Sequence, residues 1–203
     1  SNNPPGQIEN RSSFYHPKHN TTTSISNMLS IFFYLLIPAA LSQAIERATA
    51  ELVGSISGTL ILEESGDELK VEGQLSGVPL GRHGIHVHEN GATGNECLDA
   101  GGHYNPTGVS HGAPDDQERH IGDWGNFNAD QDPYHLEIVD RVAKLTGPYS
   151  IVGRSIVIHG GEDDLGRGNN PASKTNGNSG PRLACGMCLV LFRLISEHLW
   201  MLT

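Results

Sequence analysis

Gly84-Ile85-His86-Val87-His88 reads as a β-strand with two unlike faces. Side chains on an extended chain alternate sides, so Ile85 and Val87 leave one face while His86 and His88 leave the other. One face packs against a core and the other presents a pair of imidazoles. The run Ile156-Val157-Ile158-His159 has the same character and ends where Gly160-Gly161 turns the chain, so His159 can complete a site begun elsewhere. Alternating runs recur further out, as in Leu69-Lys70-Val71-Glu72-Gly73-Gln74-Leu75 and Leu136-Glu137-Ile138-Val139, separated by Gly- and Pro-rich turns. No sustained helical period occurs before the C-terminal end, so the fold class is all-β.

Between the paired histidines and the later strands lie His103, His111, His120 and Asp123, in a segment rich in Gly, Pro, Asn and Asp. Such a segment is a loop, and a loop can wrap an ion. Three imidazoles and one carboxylate make a closed set of four that suits a tetrahedral zinc ion. The remaining imidazoles suit copper(II), which favours a tetragonal set of nitrogens. His103, between the strand pair and the loop ligands, is the natural bridge if one ring uses both nitrogens. A two-metal site of this kind points to redox chemistry. His16, His19, His83, His135 and His198 read as ordinary surface or core residues.

Several stretches carry a family resemblance: Gly84-Ile85-His86-Val87-His88-Glu89, Gly101-Gly102-His103-Tyr104-Asn105-Pro106, His111-Gly112-Ala113-Pro114, Glu118-Arg119-His120-Ile121-Gly122-Asp123, Asp163-Asp164-Leu165-Gly166 and Gly180-Pro181-Arg182-Leu183-Ala184-Cys185-Gly186. In order, from about Ala50 to Gly186, they resemble copper-zinc superoxide dismutase of the secreted type. The resemblance implies an eight-stranded Greek-key β-barrel or sandwich with long metal-binding and electrostatic loops. It implies copper on His86, His88, His103 and His159, and zinc on His103, His111, His120 and Asp123. Asp163 would link the two sites from behind the ligands, Cys97 and Cys185 would form a disulfide, and Arg182, with Lys174, would guide the anion.

The activity implied is disproportionation of superoxide to oxygen and hydrogen peroxide, in antioxidant defence. Copper is alternately reduced and reoxidised, His103 takes a proton in the reduced half, and zinc structures the site. A non-enzymatic copper-binding or copper-delivery module on the same fold is the alternative. The partners implied are superoxide, a second copy of the chain and a copper donor during maturation. Asn90 stands where similar enzymes often carry an apolar residue at the dimer contact, and Pro171 and Ala172 stand where they often carry acids.

Outside this span the chain changes character. Residues 1–27 are polar and rich in Ser, Asn and Thr, and read as an upstream segment outside the domain; the glycosylation triplets at Asn10 and Asn20 fall there. Residues 28–44 begin at Met28 and carry a short apolar run followed by small residues, the pattern of a signal peptide cleaved near Ala44. That predicts a secreted protein with no stable membrane span after cleavage; without that segment it would be cytoplasmic. Residues 45–188 form the single domain, and 189–203 an atypical hydrophobic tail that reads as translated noncoding sequence. Cys188 is left without a partner. The net charge of −10 gives no basis for binding nucleic acid or an anionic membrane.

Overall fold

The computed structural model describes residues 47–191. The expected upstream segment, signal peptide and most of the C-terminal tail lie outside that range. The strands are β1 (Arg47–Gly54), β2 (Ser57–Ser65), β3 (Glu68–Ser76), β4 (Gly81–His88), β5 (Asp123–Ala129), β6 (Tyr134–Asp140), β7 (Ser155–His159), β8 (Arg182–Met187) and β9 (Leu189–Val190). Helical structure among the described residues is a 3-10 turn at Leu98–Ala100 and one short helix, α1 (Ser173–Asn176).

Strands β1 to β8 pair in the order β5-β4-β7-β8-β1-β2-β3-β6, every neighbour antiparallel. The β3-β6 and β4-β7 neighbours are not consecutive in the chain, which makes the connections Greek-key crossings. The end strands approach where Phe127 of β5 stacks on Tyr134 of β6, ring centroids 5.3 Å apart, so the barrel is nearly closed. Few strand edges are then left to pair with other chains.

The alternation that defined the strands also fills the barrel. Leu60 and Leu62, Leu69 and Val71, Ile85 and Val87, and Ile156 and Ile158 are all 0% exposed. Each such side chain contributes about 1.5–3 kcal/mol of burial free energy. Because Ile85 and Val87 point inward, His86 and His88 stand on the outer wall, under the loops at 89–122 and 160–181.

The tail does not depart from the barrel at once. Leu189 and Val190 form a two-residue strand on β1, with Thr49 opposite Leu189 and Ala48 opposite Val190.

Candidate metal centre

Four strand features aim the first set of imidazoles. His86 and His88 leave the outer face of β4, and β7 lies beside it with His86 opposite Val157 and His88 opposite Ser155. The β4-β5 register shifts between Gly84 and His86, and the β7-β8 register between Ile158 and His159. Such bulges re-aim a side chain, here one ligand candidate at each irregularity. His103 joins the end of β4 through an isolated bridge to His88. His86, His88, His103 and His159 come together with ligand atoms all within 4.8 Å of one another, as do His103, His111, His120 and Asp123.

The hydrogen bonds set which nitrogen of each ring is bare. His88 Nδ1 donates to Gly101 O at 2.9 Å, and His159 Nδ1 to Gly180 O at 3.3 Å. Their Nε2 lone pairs then face each other across 3.4 Å, an arrangement that calls for an electrophile between them. His86 Nε2 donates to Asp163 Oδ2 at 2.8 Å, leaving His86 Nδ1 buried without a partner. His103 Nδ1 engages Asp123 Oδ1 at 2.8 Å, leaving His103 Nε2 likewise bare. Four buried imidazole nitrogens with free lone pairs fit copper. Burial first, and the neighbouring imidazoles second, push His86 and His88 well below the ordinary histidine range and His159 down to about 4. Neutral rings are the form a metal needs.

The second set is built around one carboxylate oxygen. Asp123 Oδ1 lies 2.8 Å from His103 Nδ1, 2.9 Å from His111 Nδ1 and 3.1 Å from His120 Nδ1. The His111 contact lacks hydrogen-bond alignment despite its length, so that nitrogen is directed at the shared space more than at the oxygen. Burial opposes charge on both groups. The close Asp123 carboxylate and the Asp163 hydrogen bond nevertheless raise His111 to about 9, and the three imidazoles hold Asp123 far below the usual carboxylate range. The site therefore demands positive charge, and its three nitrogens and one oxygen fit zinc.

Asp163 joins the two sets, accepting from His86 Nε2 at 2.8 Å and His111 Nε2 at 2.9 Å. Asn126 holds its backbone from both sides: Asn126 Nδ2 donates to Asp163 O and Asp163 N to Asn126 Oδ1. Gly177, the C-cap of α1, has φ +64, and a Cβ there would overlap the Asp163 carboxylate and crowd His111 Nε2. Only glycine meets both demands.

Cys97 and Cys185 are bonded across 88 residues of sequence. Closing a loop of that size is worth about 4–5 kcal/mol in the chain-entropy account. The bridge also lies beside a fixed cation: Arg182 donates to Cys97 O at 2.5 Å and Gly101 O at 2.6 Å, and its charge reaches His88 and His159. Lys174 lies beside the second set. It is exposed on α1, its carbonyl accepts from His111 N, and its charge acts on Asp116 beside the second set.

Cys188 is free and fully buried in the barrel core, its thiol pushed up to about 12 by burial. Only the thiolate attacks an alkylating reagent, so at pH 8 its reactivity should be roughly 1,000-fold or more below that of an ordinary cysteine. Iodoacetamide should leave the native protein unmodified and label one cysteine after unfolding without reductant. Rapid native labelling, or a peptide map linking Cys97 to Cys188, would refute this placement.

Sequence reasoning passed over two residues that touch the centre from behind. His83, read as ordinary, is buried with its ring nitrogens on the carbonyls of His159 (2.9 Å) and Pro79 (2.7 Å). Arg119 donates to Asp123 O at 2.8 Å and pairs with Asp140 at 2.6 Å, both side chains almost wholly buried. An arginine between two acidic motif residues is the one signal for it, and that signal does not distinguish a surface charge. Breaking a buried pair by removing one partner costs about 3–5 kcal/mol. Arg119→Ala should lose that much in chemical denaturation, and Arg119→Leu combined with Asp140→Leu should recover part of it. A loss under about 1 kcal/mol for the single variant would mean the pair is dispensable.

An all-β barrel with two adjoining sets of nitrogen and carboxylate donors on its outer wall, sharing His103, defines a protein of the two-metal type. A family profile for copper/zinc superoxide dismutase (SODC) matches residues 56–188, and the chain belongs to that family. It is 56% identical over 130 residues to an extracellular superoxide dismutase [Cu-Zn] of Caenorhabditis elegans, covering 64% of this chain and 59% of that relative. It is 47% identical over 135 residues to one of Haemonchus contortus, covering 66% and 74%. The crystal structure of the clock protein EA4 superposes with a TM-score of 0.70 at 38% identity, covering 73% of this chain and 97% of that one. This chain thus spans less than two thirds of the Caenorhabditis relative's length.

Proposed function

We propose that the protein disproportionates superoxide, two of which, with two protons, become one oxygen and one hydrogen peroxide. The observation that carries this reading is the pair of bare-nitrogen sets meeting at His103. His86, His88, His103 and His159 would hold copper; His103, His111, His120 and Asp123 would hold zinc. Copper bound there would supply one-electron reduction and reoxidation, which the imidazoles and carboxylates of the site do not.

The chain's own groups supply the rest. Carbonyls of Gly101 and Gly180 and the Asp163 carboxylate lock the ring tautomers, so the donor atoms are arranged before any metal arrives. His103 Nε2 is the atom placed to take up and return a proton while Nδ1 stays engaged by the Asp123 set. Arg182 offers a fixed positive charge near His88 and His159, which draws a small anion toward the first set although the whole chain is acidic. The near-complete burial of the four rings excludes larger reductants.

Purified protein loaded with both metals should remove superoxide, measured by pulse radiolysis at several enzyme concentrations. Copper bound at one equivalent with no rate above free buffer would instead identify a non-enzymatic copper-binding module. Export is part of the proposal, supported by the extracellular relatives and the apolar run after Met28; N-terminal sequencing of secreted protein should begin at or near Ile45. Among the described residues no helix is long and apolar enough to cross a membrane. A homodimer and a copper donor are proposed on the family's account alone, and sedimentation of the loaded protein tests the former.

A further inference from the structure

Arg154 belongs to none of the donor sets, yet it touches the chain directly after two of their members. Its guanidinium carbon lies 3.5 Å from the centroid of the Tyr104 ring, and Tyr104 follows His103. Its Nη1 donates to Glu89 O at 2.7 Å, and Glu89 follows His88. Nε is anchored on Ser150 O at 3.2 Å, so the plane of the fork is held from a third side. Arg154 itself immediately precedes β7, the strand that ends in His159.

The two segments it clamps are also bound to each other. Glu89 N donates to Gly102 O at 2.9 Å, and Gly102 N donates to Glu89 Oε1 at 3.1 Å, on the far side of His103. Tyr104 is 5% exposed, with its N–H on Val87 O, its carbonyl accepting from Gly122 N and its hydroxyl on Pro148 O at 3.2 Å. His103 is thus held on both flanks, by the Glu89 grip before it and by the stacked Tyr104 after it. A guanidinium stacked on an aromatic face is a directional contact that a lysine ammonium reproduces poorly.

We propose that Arg154 is a positioning residue for His103: the planar stack on Tyr104 and the hydrogen bond to Glu89 keep the His103 ring where its two nitrogens can serve both donor sets at once. This rests on the reading of His103 as the shared ligand.

The test uses the full chain with cobalt(II) in the zinc set and copper(II) in the other. Two paramagnetic ions on one shared imidazole couple magnetically, and the copper resonance is quenched. Absence of coupling in the unaltered protein would overturn the shared-ligand reading itself. With coupling present there, Arg154→Lys and Tyr104→Leu should each restore an uncoupled copper signal and lower copper retention against a chelator about 10-fold, the scale of contacts behind metal ligands. Tyr104→Phe, which keeps the ring, should behave as the parent. The double variant Arg154→Lys with Tyr104→Leu should be no worse than the more affected single variant, since both break one contact. Should Arg154→Lys fail to fold, Tyr104→Leu and hydrogen exchange at the Tyr104 and Gly122 amides of the metal-free protein read the same clamp, with exchange expected to quicken. Variants that lower the unfolding midpoint but keep full coupling, or losses that simply add in the double variant, would overturn the proposal and leave Arg154 a stabilising residue only.

Discussion

His159→Ala is expected to remove copper-dependent superoxide removal, to below about 1% of the parent rate, while zinc stays bound. Contacts behind a metal ligand already account for 10–100-fold, and loss of a direct donor exceeds them. The structure makes this the clean variant. His159 stands at the end of β7, facing His88 Nε2 at 3.4 Å, and its other nitrogen rests on the Gly180 carbonyl. It makes no hydrogen bond to Asp123, whose oxygen gathers His103, His111 and His120. His86→Ala is less clean, because His86 shares Asp163 with His111 and its loss frees a carboxylate that the second set also uses. Metal analysis beside the rate measurement decides the matter: zinc lost with copper kept in His159→Ala would overturn the division of ligands.

Arg182→Glu should lower the second-order rate by about 10- to 1,000-fold with both metals still bound, the range over which a charged cleft alters association. One unit charge about 5 Å from another is worth roughly 3 kcal/mol at an effective dielectric near 20, before screening. Arg182 is well placed to act this way because the Cys97 and Gly101 carbonyls fix its guanidinium. The salt response should also invert. Added ions weaken an attractive field and relieve a repulsive one, so the parent should slow with ionic strength and the variant should quicken. Equal rates and equal slopes at matched copper occupancy would remove Arg182 from the guidance of the anion. Lys174, whose charge acts on Asp116 beside the second set, should change the rate far less when neutralised.

The all-β class was legible in short stretches because the period of two is a local property of extended chain. Leu69, Val71 and Leu75 alternate in sequence and are all buried in β3; Ile85 and Val87 do the same in β4, and so His86 and His88 had to share the opposite face. Cysteine pairing was anticipated from resemblance, and so was a Cys188 without a partner; its place in the core was not. Cys188 reads as the last residue of the domain before an atypical tail, whereas in the barrel it is a fully buried core position, and the tail's first two residues, Leu189 and Val190, pair with β1.

What a residue touches across the chain was not legible. Asn126 meets Asp163 at a separation of 37 residues, Arg119 meets Asp140 at 21 and Arg182 meets Gly101 at 81. None of these pairs has a sequence period, and His83 looks in sequence like any histidine near a strand start. Gly177 shows the division most clearly. Its letter fits a turn anywhere, and only the packed loops reveal that a methyl group there would displace the carboxylate joining the two donor sets. Local alternation and residue type determined the strands and the inventory of donors, since both follow from backbone geometry and side-chain chemistry alone. Which nitrogen of each ring is left bare was decided by tertiary structure, because a tautomer is set by the carbonyl or carboxylate that folding brings to the other nitrogen.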